Sequence, residues 1–484
     1  MEGMTMTKKN WTNIVVLGAG FFLLFTAFQT TGFVQTFTIK SFLSPKCNNV
    51  NGSFHDGGIE ISTWLANNIG YISLCIIYVF AAIGGWASVS IVAVFGPRVC
   101  LIISGALYVL YIAILIRPYL PAIFIGAAVL GAGAGVLWTA QGQIMIQNSS
   151  KKRMGTTSNI FWLMLQSSLP IGGMIFFAIL ISTNSSSCIS RTINSITFGV
   201  LTALGAAGII VLFFIQNSSQ TGVSSEKAGV NSEEDETRAS KPLLLGSGEN
   251  KVTETKTRAA VMALVNAVKL LFTFNMGCLC LTFIYTGYEL NFWSGVFGNI
   301  IGNVPTFMKY NIGIAAAFVG VGEMVAGALF GILGQYTNKF GRDVVVLLGM
   351  LVHLLTFLLI FFNMPDNAIN TLVTEEESKG YLFNPSIIYL VHLCAFLLGF
   401  ADSIFNTQLY SLIGVLYPTD DLSAPAIALF KFFQSITAAV GFLTSTFLAL
   451  KWQLLILTVL ATTGTLSFAV VEWKHRRMSQ RGSN

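Results

Sequence analysis

The chain has 484 residues, of which 54% are hydrophobic and only 10% are charged, and its formal net charge is +6. A soluble domain carries about 25% charged residues, so this composition excludes an ordinary soluble fold. The seven cysteines and four histidines follow no zinc-ligand spacing, and no nucleotide or nucleophile motif occurs. We therefore expect no enzyme, no metal and no cofactor. The basic residues cluster in one set of loops, which points to membrane orientation rather than to nucleic acid.

Twelve apolar stretches of roughly 20 residues, each long enough to cross a bilayer core, follow one another along the chain. Because no water can satisfy backbone polar groups at bilayer depth, each stretch is predicted to be a helix. The sequence therefore predicts an all-α integral membrane protein. Its expected partner is the lipid bilayer in which it is embedded. The predicted spans are 12–35, 66–92, 99–117, 121–145, 159–182, 194–215, 271–296, 313–334, 344–363, 386–414, 425–449 and 453–472.

The distribution of charge predicts the orientation. A cytosolic N-terminus places 19 of the 27 Lys and Arg residues in cytosolic segments, as the positive-inside rule requires, and the C-terminus is then cytosolic too. Asn51 and Asn184, in Asn-x-Ser sequons, then face the exterior or a lumen and are predicted glycosylation sites. Cys47 and Cys188 lie in two external loops and are candidates for a disulfide. The membrane is expected to be the plasma membrane or that of the endolysosome.

Residues 216–264 interrupt the apolar pattern with a mixture of Ser, Gly, Glu and Lys. Such a segment cannot bury enough apolar surface to fold alone. It is predicted to be a disordered cytosolic linker. The domains on either side are an N-terminal six-helix bundle, 1–215, and a C-terminal six-helix bundle with a short basic tail, 265–484.

The two halves repeat each other. Leu130-Gly131 in span four matches Leu398-Gly399 in span ten, 268 residues later, and Gln166-Ser167 in span five matches Gln434-Ser435 in span eleven at the same separation. Internal repeats with a central site between them are typical of secondary transporters. The repeat therefore indicates a six-plus-six helix architecture.

A motif follows span eight. The sequence from 334 to 343 is similar to the GxxxDRxGRR loop of the major facilitator superfamily, and its counterpart in the first half, Gly96-Pro97-Arg98, keeps little of that pattern. In the superfamily this loop restrains the swing between inward-facing and outward-facing states. The resemblance implies the same conformational role for Gly334, Asn338, Lys339, Gly341 and Arg342.

Longer strings narrow the resemblance. Residues 137–142 (LWTAQG), 161–169 (FWLMLQSSL), 285–290 (YTGYEL) and 405–409 (FNTQL) resemble the Unc-93-like branch of that superfamily, and 430–432 (FKF) and 471–473 (VEW) are similar to one member in particular. The resemblance implies two pseudo-symmetric bundles of six helices. The branch includes proteins implied to act as accessory subunits of potassium channels or as trafficking partners, so a membrane-protein partner is one expectation.

Charged side chains within spans are costly and are therefore candidates for function. In the superfamily fold, spans one, four, seven and ten line the central cavity. The resemblance therefore places around a substrate path the residues Gln29, Trp138, Gln141, Glu289, Asp402 and Asn406. A buried, unpaired Glu289 or Glu323 could exchange a proton, while Glu323 could instead support a close contact of small residues. Asp402 and Lys431 are predicted to form a buried pair, either functional or a structural lock.

Two functions remain open from the sequence. The first is a secondary carrier of a small solute by alternating access, with proton coupling through Glu289. The second is a non-transporting accessory or trafficking subunit of another membrane protein. His353 and His392, each isolated on an apolar helix, are expected to form hydrogen bonds with neighbours rather than to act as ligands or relays.

Overall fold

The computed structural model describes residues 8–44, 54–56, 59–149, 153–183, 189–216, 265–418 and 420–482. The predicted disulfide cysteines Cys47 and Cys188 and the predicted glycosylation sites Asn51 and Asn184 lie outside these residues. So does the predicted linker, apart from its first residue.

Among its described residues, the first half contains seven helices and a short hairpin. In chain order they are α1 (Lys8–Leu43), β1 (Phe54–Asp56), β2 (Ile59–Ile61), α2 (Thr63–Phe95), α3 (Pro97–Ile114), α4 (Leu120–Asn148), α5 (Met154–Gln166), α6 (Ser168–Ser182) and α7 (Arg191–Leu212). The two strands pair antiparallel. Helices α5 and α6 together form one span, Thr156–Ser182.

The second half begins with α8 (Val265–Leu271). It continues with α9 (Phe274–Asn291), a π-helical segment (Phe292–Val296), α10 (Phe297–Asn303), α11 (Asn311–Phe340), α12 (Arg342–Asn363), α13 (Ile388–Leu416), α14 (Asp420–Thr444) and α15 (Leu450–Gly482). Short 3-10 turns, Pro305–Phe307 and Asp366–Ile369, lie in the connections.

Among the described residues, eleven helices are long and apolar enough to cross a membrane, and a bent pair of helical segments supplies a twelfth span. This pair corrects the predicted span 271–296. Helix α8 meets the following segment, Phe274–Asn303, at an angle of 89°, so the crossing begins at Phe274 and continues through the π-helical segment to Asn303. A π-helical segment keeps the backbone hydrogen-bonded, which allows the span to continue where a helix end was predicted.

Glycines set the closest helix contacts in both halves. A Cβ atom at Gly131 of α4 would lie 2.8 Å from Cβ of Phe80 on α2, and one at Gly399 of α13 would lie 2.7 Å from the carbonyl carbon of Val319 on α11. Small residues let the backbones of membrane helices approach and gain dispersion contacts. The contacts α2–α4 and α11–α13 are thus equivalent in the two halves.

One end of the bundle, which we call the Lys40 end, is closed by hydrogen bonds between the halves. Nζ of Lys40 on α1 lies 3.1 Å from Oδ1 of Asn303. The hydroxyl of Tyr71 on α2 donates to the carbonyl of Ile369 at 3.1 Å and accepts from Nδ2 of Asn299 at 2.8 Å. Burial lowers the pKa of Lys309, in the connection between α10 and α11, to about 8. The predicted orientation makes this the external end.

At the opposite end, which we call the Arg342 end, α11 and α12 are joined by a single residue, Gly341, with φ of 102°. Helix α11 continues to Phe340, so most of the expected loop after span eight is helical, which corrects the prediction. Glycine tolerates a positive φ at no steric cost, and this allows the abrupt turn. Gly96, with φ of 81°, makes the equivalent turn between α2 and α3.

Candidate functional site

Two carboxyl groups from facing helices meet in the second half. Glu289 lies near the end of α9 and Asp402 lies in the middle of α13, and their carboxyl groups are close enough to interact electrostatically. Glu289 is 1% exposed and Asp402 is 7% exposed. Two carboxyl groups in such contact repel each other unless a proton lies between them.

A histidine and a tyrosine complete one side of this pair. Nε2 of His353, on α12, lies 3.4 Å from Oε1 of Glu289 and 3.3 Å from the carbonyl oxygen of Leu398. Its Nδ1 contacts the hydroxyl of Tyr285, one helical turn before Glu289. This arrangement fits a neutral imidazole whose Nε2–H donates to Leu398 and whose Nδ1 accepts from Tyr285. The expected hydrogen bonds of His353 are therefore confirmed.

The sequence did not predict the contact between His353 and Glu289. The available signal was that both are ionisable residues within apolar spans, where a buried partner is expected. His392, by contrast, stacks on the ring of Phe318 at 5.5 Å and lies apart from the pair.

Glu323 on α11 adds a third acid. Its carboxyl group is near enough to those of Asp402 and Glu289 for electrostatic repulsion. Its Oε2 atom is buried without a hydrogen-bond partner among the described residues. The neighbouring Gly322 packs against α13: a Cβ atom added to it would lie 2.8 Å from the backbone nitrogen of Phe400. The acid therefore lies next to a close helix contact.

The predicted buried ion pair between Asp402 and Lys431 is wrong. Among the described residues, neither Lys431 nor Glu323 has an oppositely charged group within 4.0 Å, and Lys431 is exposed rather than buried. The ammonium group donates instead to Oε1 of Gln434 at 2.8 Å, one turn along α14. An exposed ammonium group gains little from giving up such hydrogen bonds for a buried ion pair.

Amides connect the lysine to the acids. Nε2 of Gln434 lies 3.4 Å from Oδ1 of Asn406, and Nδ2 of Asn406 lies 3.0 Å from Oδ1 of Asp402. Together with the bond from Lys431 to Gln434, these hydrogen bonds form a polar path from Lys431 through Gln434 and Asn406 to Asp402, which interacts electrostatically with Glu289; we call these five residues the relay.

The predicted cavity residues of the first half lie in other contacts. Oε1 of Gln29 accepts a hydrogen bond from Ser168 at 2.6 Å. The ring of Trp138 stacks on that of Trp162 at 6.0 Å, and Gln141 is buried. The structure thus joins Glu289, Asp402 and Asn406 in one network and surrounds Trp138 with aromatic rings.

Open space lies beyond these residues toward the Arg342 end. Gly142 is one helical turn from Trp138 on α4, and Gly414 is one turn from Tyr410 on α13. A Cβ atom at either glycine would meet nothing within 4 Å beyond its own helix. These two helix faces therefore have room for a larger side chain, whereas hydrogen bonds join the halves at the Lys40 end.

The motif residues form a charge cluster at the Arg342 end. Nη1 of Arg342 lies 3.6 Å from Oε1 of Glu472 on α15, and Nη2 of Arg476 lies 2.5 Å from Oδ2 of Asp343. Asp343, where the superfamily pattern has a base, thus finds its base on another helix. The surroundings of Gly334, Asn338 and Lys339 lie outside what the structure describes.

No group of three or more His, Cys, Asp or Glu side chains among the described residues is arranged to hold a metal ion.

Comparisons with known proteins agree with this architecture. The sequence model of the family described as ion channel regulatory protein UNC-93 matches residues 62–469. The UNC93-like protein MFSD11 of Xenopus tropicalis is 39% identical over 99% of this chain and all of that protein. The protein of the same name from Xenopus laevis is 38% identical over 97% of this chain and 98% of that one.

Solved structures show the fold. The xylose transporter XylE of E. coli, in a partially occluded inward-open conformation, superposes with a TM-score of 0.59 at 13% identity, covering 97% of this chain and 98% of that one. The predicted fold class, two pseudo-symmetric six-helix bundles of the major facilitator type, is confirmed, and so is the resemblance to the Unc-93-like branch.

Proposed function

The chain belongs to the UNC-93 family of multi-pass membrane proteins with the major facilitator fold, and we propose that it is a secondary carrier that moves a small solute by alternating access, coupled to protons. The single observation that carries this proposal is the burial of two neighbouring carboxyl groups, those of Glu289 and Asp402, within the bundle. They lie on two helices, α9 and α13, that correspond to spans seven and ten.

The pair has the chemistry that proton coupling needs. One proton between two buried carboxyl groups removes one charge and satisfies both oxygens. Oε1 of Glu289 is buried and has no hydrogen-bond partner among the described residues, so it can accept a proton without breaking another bond. Nε2 of His353 approaches the same oxygen to 3.4 Å, and Tyr285 holds the imidazole ring from its other side.

Closure at the Lys40 end supports alternating access. The hydrogen bonds of Lys40 and Tyr71 join the halves there, as one closed end of a carrier requires. In a carrier, the two halves rock about the central site so that the two ends exchange roles. Loss of the shared proton would leave two negative charges buried together, and separation of the halves would admit water that stabilises them, so deprotonation should disfavour this closed arrangement.

The experiment measures a distance across the Lys40 end. Spin labels at Thr63→Cys on α2 and Leu372→Cys, both on exposed residues, report the separation of the halves in a Cys-depleted background by double electron–electron resonance. We expect the longer-distance population to grow several-fold between pH 5 and pH 9. Glu289→Gln, which cannot ionise, should keep the short distance at every pH.

Glu375→Gln is the matched control, because Glu375 is an exposed acid at the same end. It should leave the pH response intact. Either of two results would remove the carboxyl pair from the mechanism. One is a distance that does not change with pH while both carboxyl groups are intact, and the other is a pH-dependent distance that persists in Glu289→Gln.

The family match favours a second function, that of a regulatory subunit of an ion channel, since the matching family is described in those terms. On that alternative the acids only stabilise the bundle. Glu289→Gln would then restore the surface abundance of a dependent membrane protein in cells lacking this chain. If Glu289→Gln abolished transport and also failed to restore that surface abundance, the result would argue against this second function.

A further inference from the structure

Lys431 is a cation in a span with no acid beside it. Its ammonium group is 2.8 Å from the amide oxygen of Gln434 and faces the rings of Phe430 and Tyr410 at 4.8 and 5.5 Å. Among the described residues no carboxylate lies within 4.0 Å of it. An ionisable group within a span is retained at a cost, so it marks a site of interaction with another charge.

From the two rings beside this lysine, a chain of aromatic contacts continues into the first half. Tyr410 on α13 contacts Trp162 on α5, with ring centroids 6.5 Å apart, and Trp162 stacks on Trp138 at an angle of 15°. We call the residues Trp138, Trp162, Tyr410 and Phe430 the aromatic recess. Trp162 is 40% exposed, so the recess presents ring surface that a flat, apolar ligand could cover.

The relay orders the charges by depth. Lys431 is exposed and Asn406 is half-buried, whereas Gln434, Asp402 and Glu289 are buried. A ligand that enters the recess therefore meets the ammonium group first. It meets the carboxyl groups only through two amides, which can present either a donor or an acceptor.

These contacts define the ligand by its charge. A cation would face the ammonium group and would reach no exposed carboxylate in the recess. A neutral ligand would leave the ammonium group without a counter-charge while covering it from water, which costs free energy. An anion gains a charge-assisted hydrogen bond from Lys431.

We propose that the solute is a small organic anion with a flat, apolar body, whose acidic group binds Lys431 and whose body stacks in the aromatic recess. This proposal rests on the proposed carrier function, which it deepens by naming the substrate class. An anion carried together with one proton on the carboxyl pair crosses the membrane with no net charge, so the two movements balance. No covalent step is involved.

The test compares three probes with one body and different charges: 2-naphthoate, 2-naphthamide and 2-naphthylmethylamine. Each is titrated against the full chain in lipid nanodiscs, and equilibrium binding is followed by thermophoresis. We expect the naphthoate to bind at least tenfold more tightly than the amide and the amine. Lys431→Gln should reduce its affinity about tenfold, and Lys431→Arg should retain most of it.

Lys451→Gln is the matched control for loss of a lysine, because Lys451 is an exposed residue paired with Asp366 at 3.1 Å at the Lys40 end. It should bind the naphthoate as the unmodified chain does. Size-exclusion profiles show whether each variant is folded, and Trp162→Leu provides an independent test, because it should weaken all three probes by removing ring surface while the charge preference remains.

Several results would overturn the proposal. These are equal or tighter binding of the amide or the amine, an undiminished preference for the naphthoate in Lys431→Gln, or no binding of any probe. Because equilibrium binding requires no transport, a bound naphthoate together with a pH-independent distance at the Lys40 end would refute the carrier and leave the anion site. The reverse combination would refute the anion site alone.

Discussion

Gly131 of α4 and Gly399 of α13 make the same contact in the two halves, each allowing its helix to touch the neighbouring one at backbone distance. The side chains around them differ greatly. Residues at equivalent positions of the repeat, 260 or 268 residues apart, differ in polarity or charge: the side chain in the first half is uncharged, and the one in the second half is polar or charged. The pairs are Gln29 and Glu289, Ala134 and Asp402, Trp138 and Asn406, and Leu163 and Lys431. Packing positions are thus kept because the backbone depends on them, while polar chemistry has diverged.

The turns at the Arg342 end show the same division. Gly96 and Gly341 both adopt a positive φ between two helices. In the first half, Arg98 then donates to the carbonyl of Phe213, at the end of α7, at 2.7 Å. In the second half, Arg342 pairs with a carboxylate, Glu472 of α15. Arg98 thus caps α7 in the first half, whereas Arg342 lies in a buried ion pair in the second.

The largest effect is expected from Glu472→Gln, which keeps the size of the side chain and removes its charge. Breaking one partner out of a buried ion pair costs about 3–5 kcal/mol, and here Arg342 would be left buried without its carboxylate. The thermal midpoint of the purified protein in detergent should fall by several degrees. Arg98→Gln, which removes the exposed arginine that caps α7 in the first half, should lower it far less. Equal falls would mean that the two corners are energetically alike.

A smaller effect, equal in both halves, is expected from Gly131→Ala and Gly399→Ala. The added methyl group would overlap the facing helix, and overpacking of this kind costs about 1–3 kcal/mol. Gly142→Ala and Gly414→Ala, on the same two helices but facing open space, are the controls and should be neutral or slightly stabilising, since Ala favours a helix over Gly by about 1 kcal/mol. Fluorescence-detected size exclusion after heating measures all four variants. A large difference between Gly131→Ala and Gly399→Ala would show that the contacts are not equivalent.

The spans could be predicted because length and apolarity dictate them, whereas their ends could not. Residues 334–340 are polar enough to suggest a loop, yet α11 continues through them, because a helix that leaves the bilayer remains hydrogen-bonded within itself. The extension of span seven to Asn303 depends on a π-helical segment that no composition signal marks.

The site was predicted residue by residue but not as an arrangement. The cost of charge in a bilayer singled out Glu289, Asp402 and Lys431. Their contacts depend on the depth and rotation of several helices, which the sequence does not specify, and so the approach of His353 to Glu289 was missed. The sequence could have predicted the hydrogen-bond partner of Lys431, because Gln434 lies three residues later on the same helix face.

The smallest effect concerns the closure at the Lys40 end, where the halves meet rather than differ. Tyr71→Phe removes the hydroxyl that donates to Ile369 and accepts from Asn299, which costs about 0.5–1.5 kcal/mol. If this bond exists only while the halves are closed, opening becomes about 2- to 12-fold more frequent. Ser73→Cys, a fully buried position behind the closure, serves as the probe, and its alkylation by an impermeant reagent from that side should accelerate by the same factor.

Tyr288→Phe is the matched control, since the hydroxyl of Tyr288 bonds to Thr444 at 3.0 Å within the second half. It removes the same chemical group without loosening the contact between halves, so the probe should react at its original rate. Equal acceleration by both variants would indicate general loosening of the bundle. Acceleration by Tyr71→Phe alone would identify this hydroxyl as part of a gate, because only a bond that joins the halves can change how often they separate.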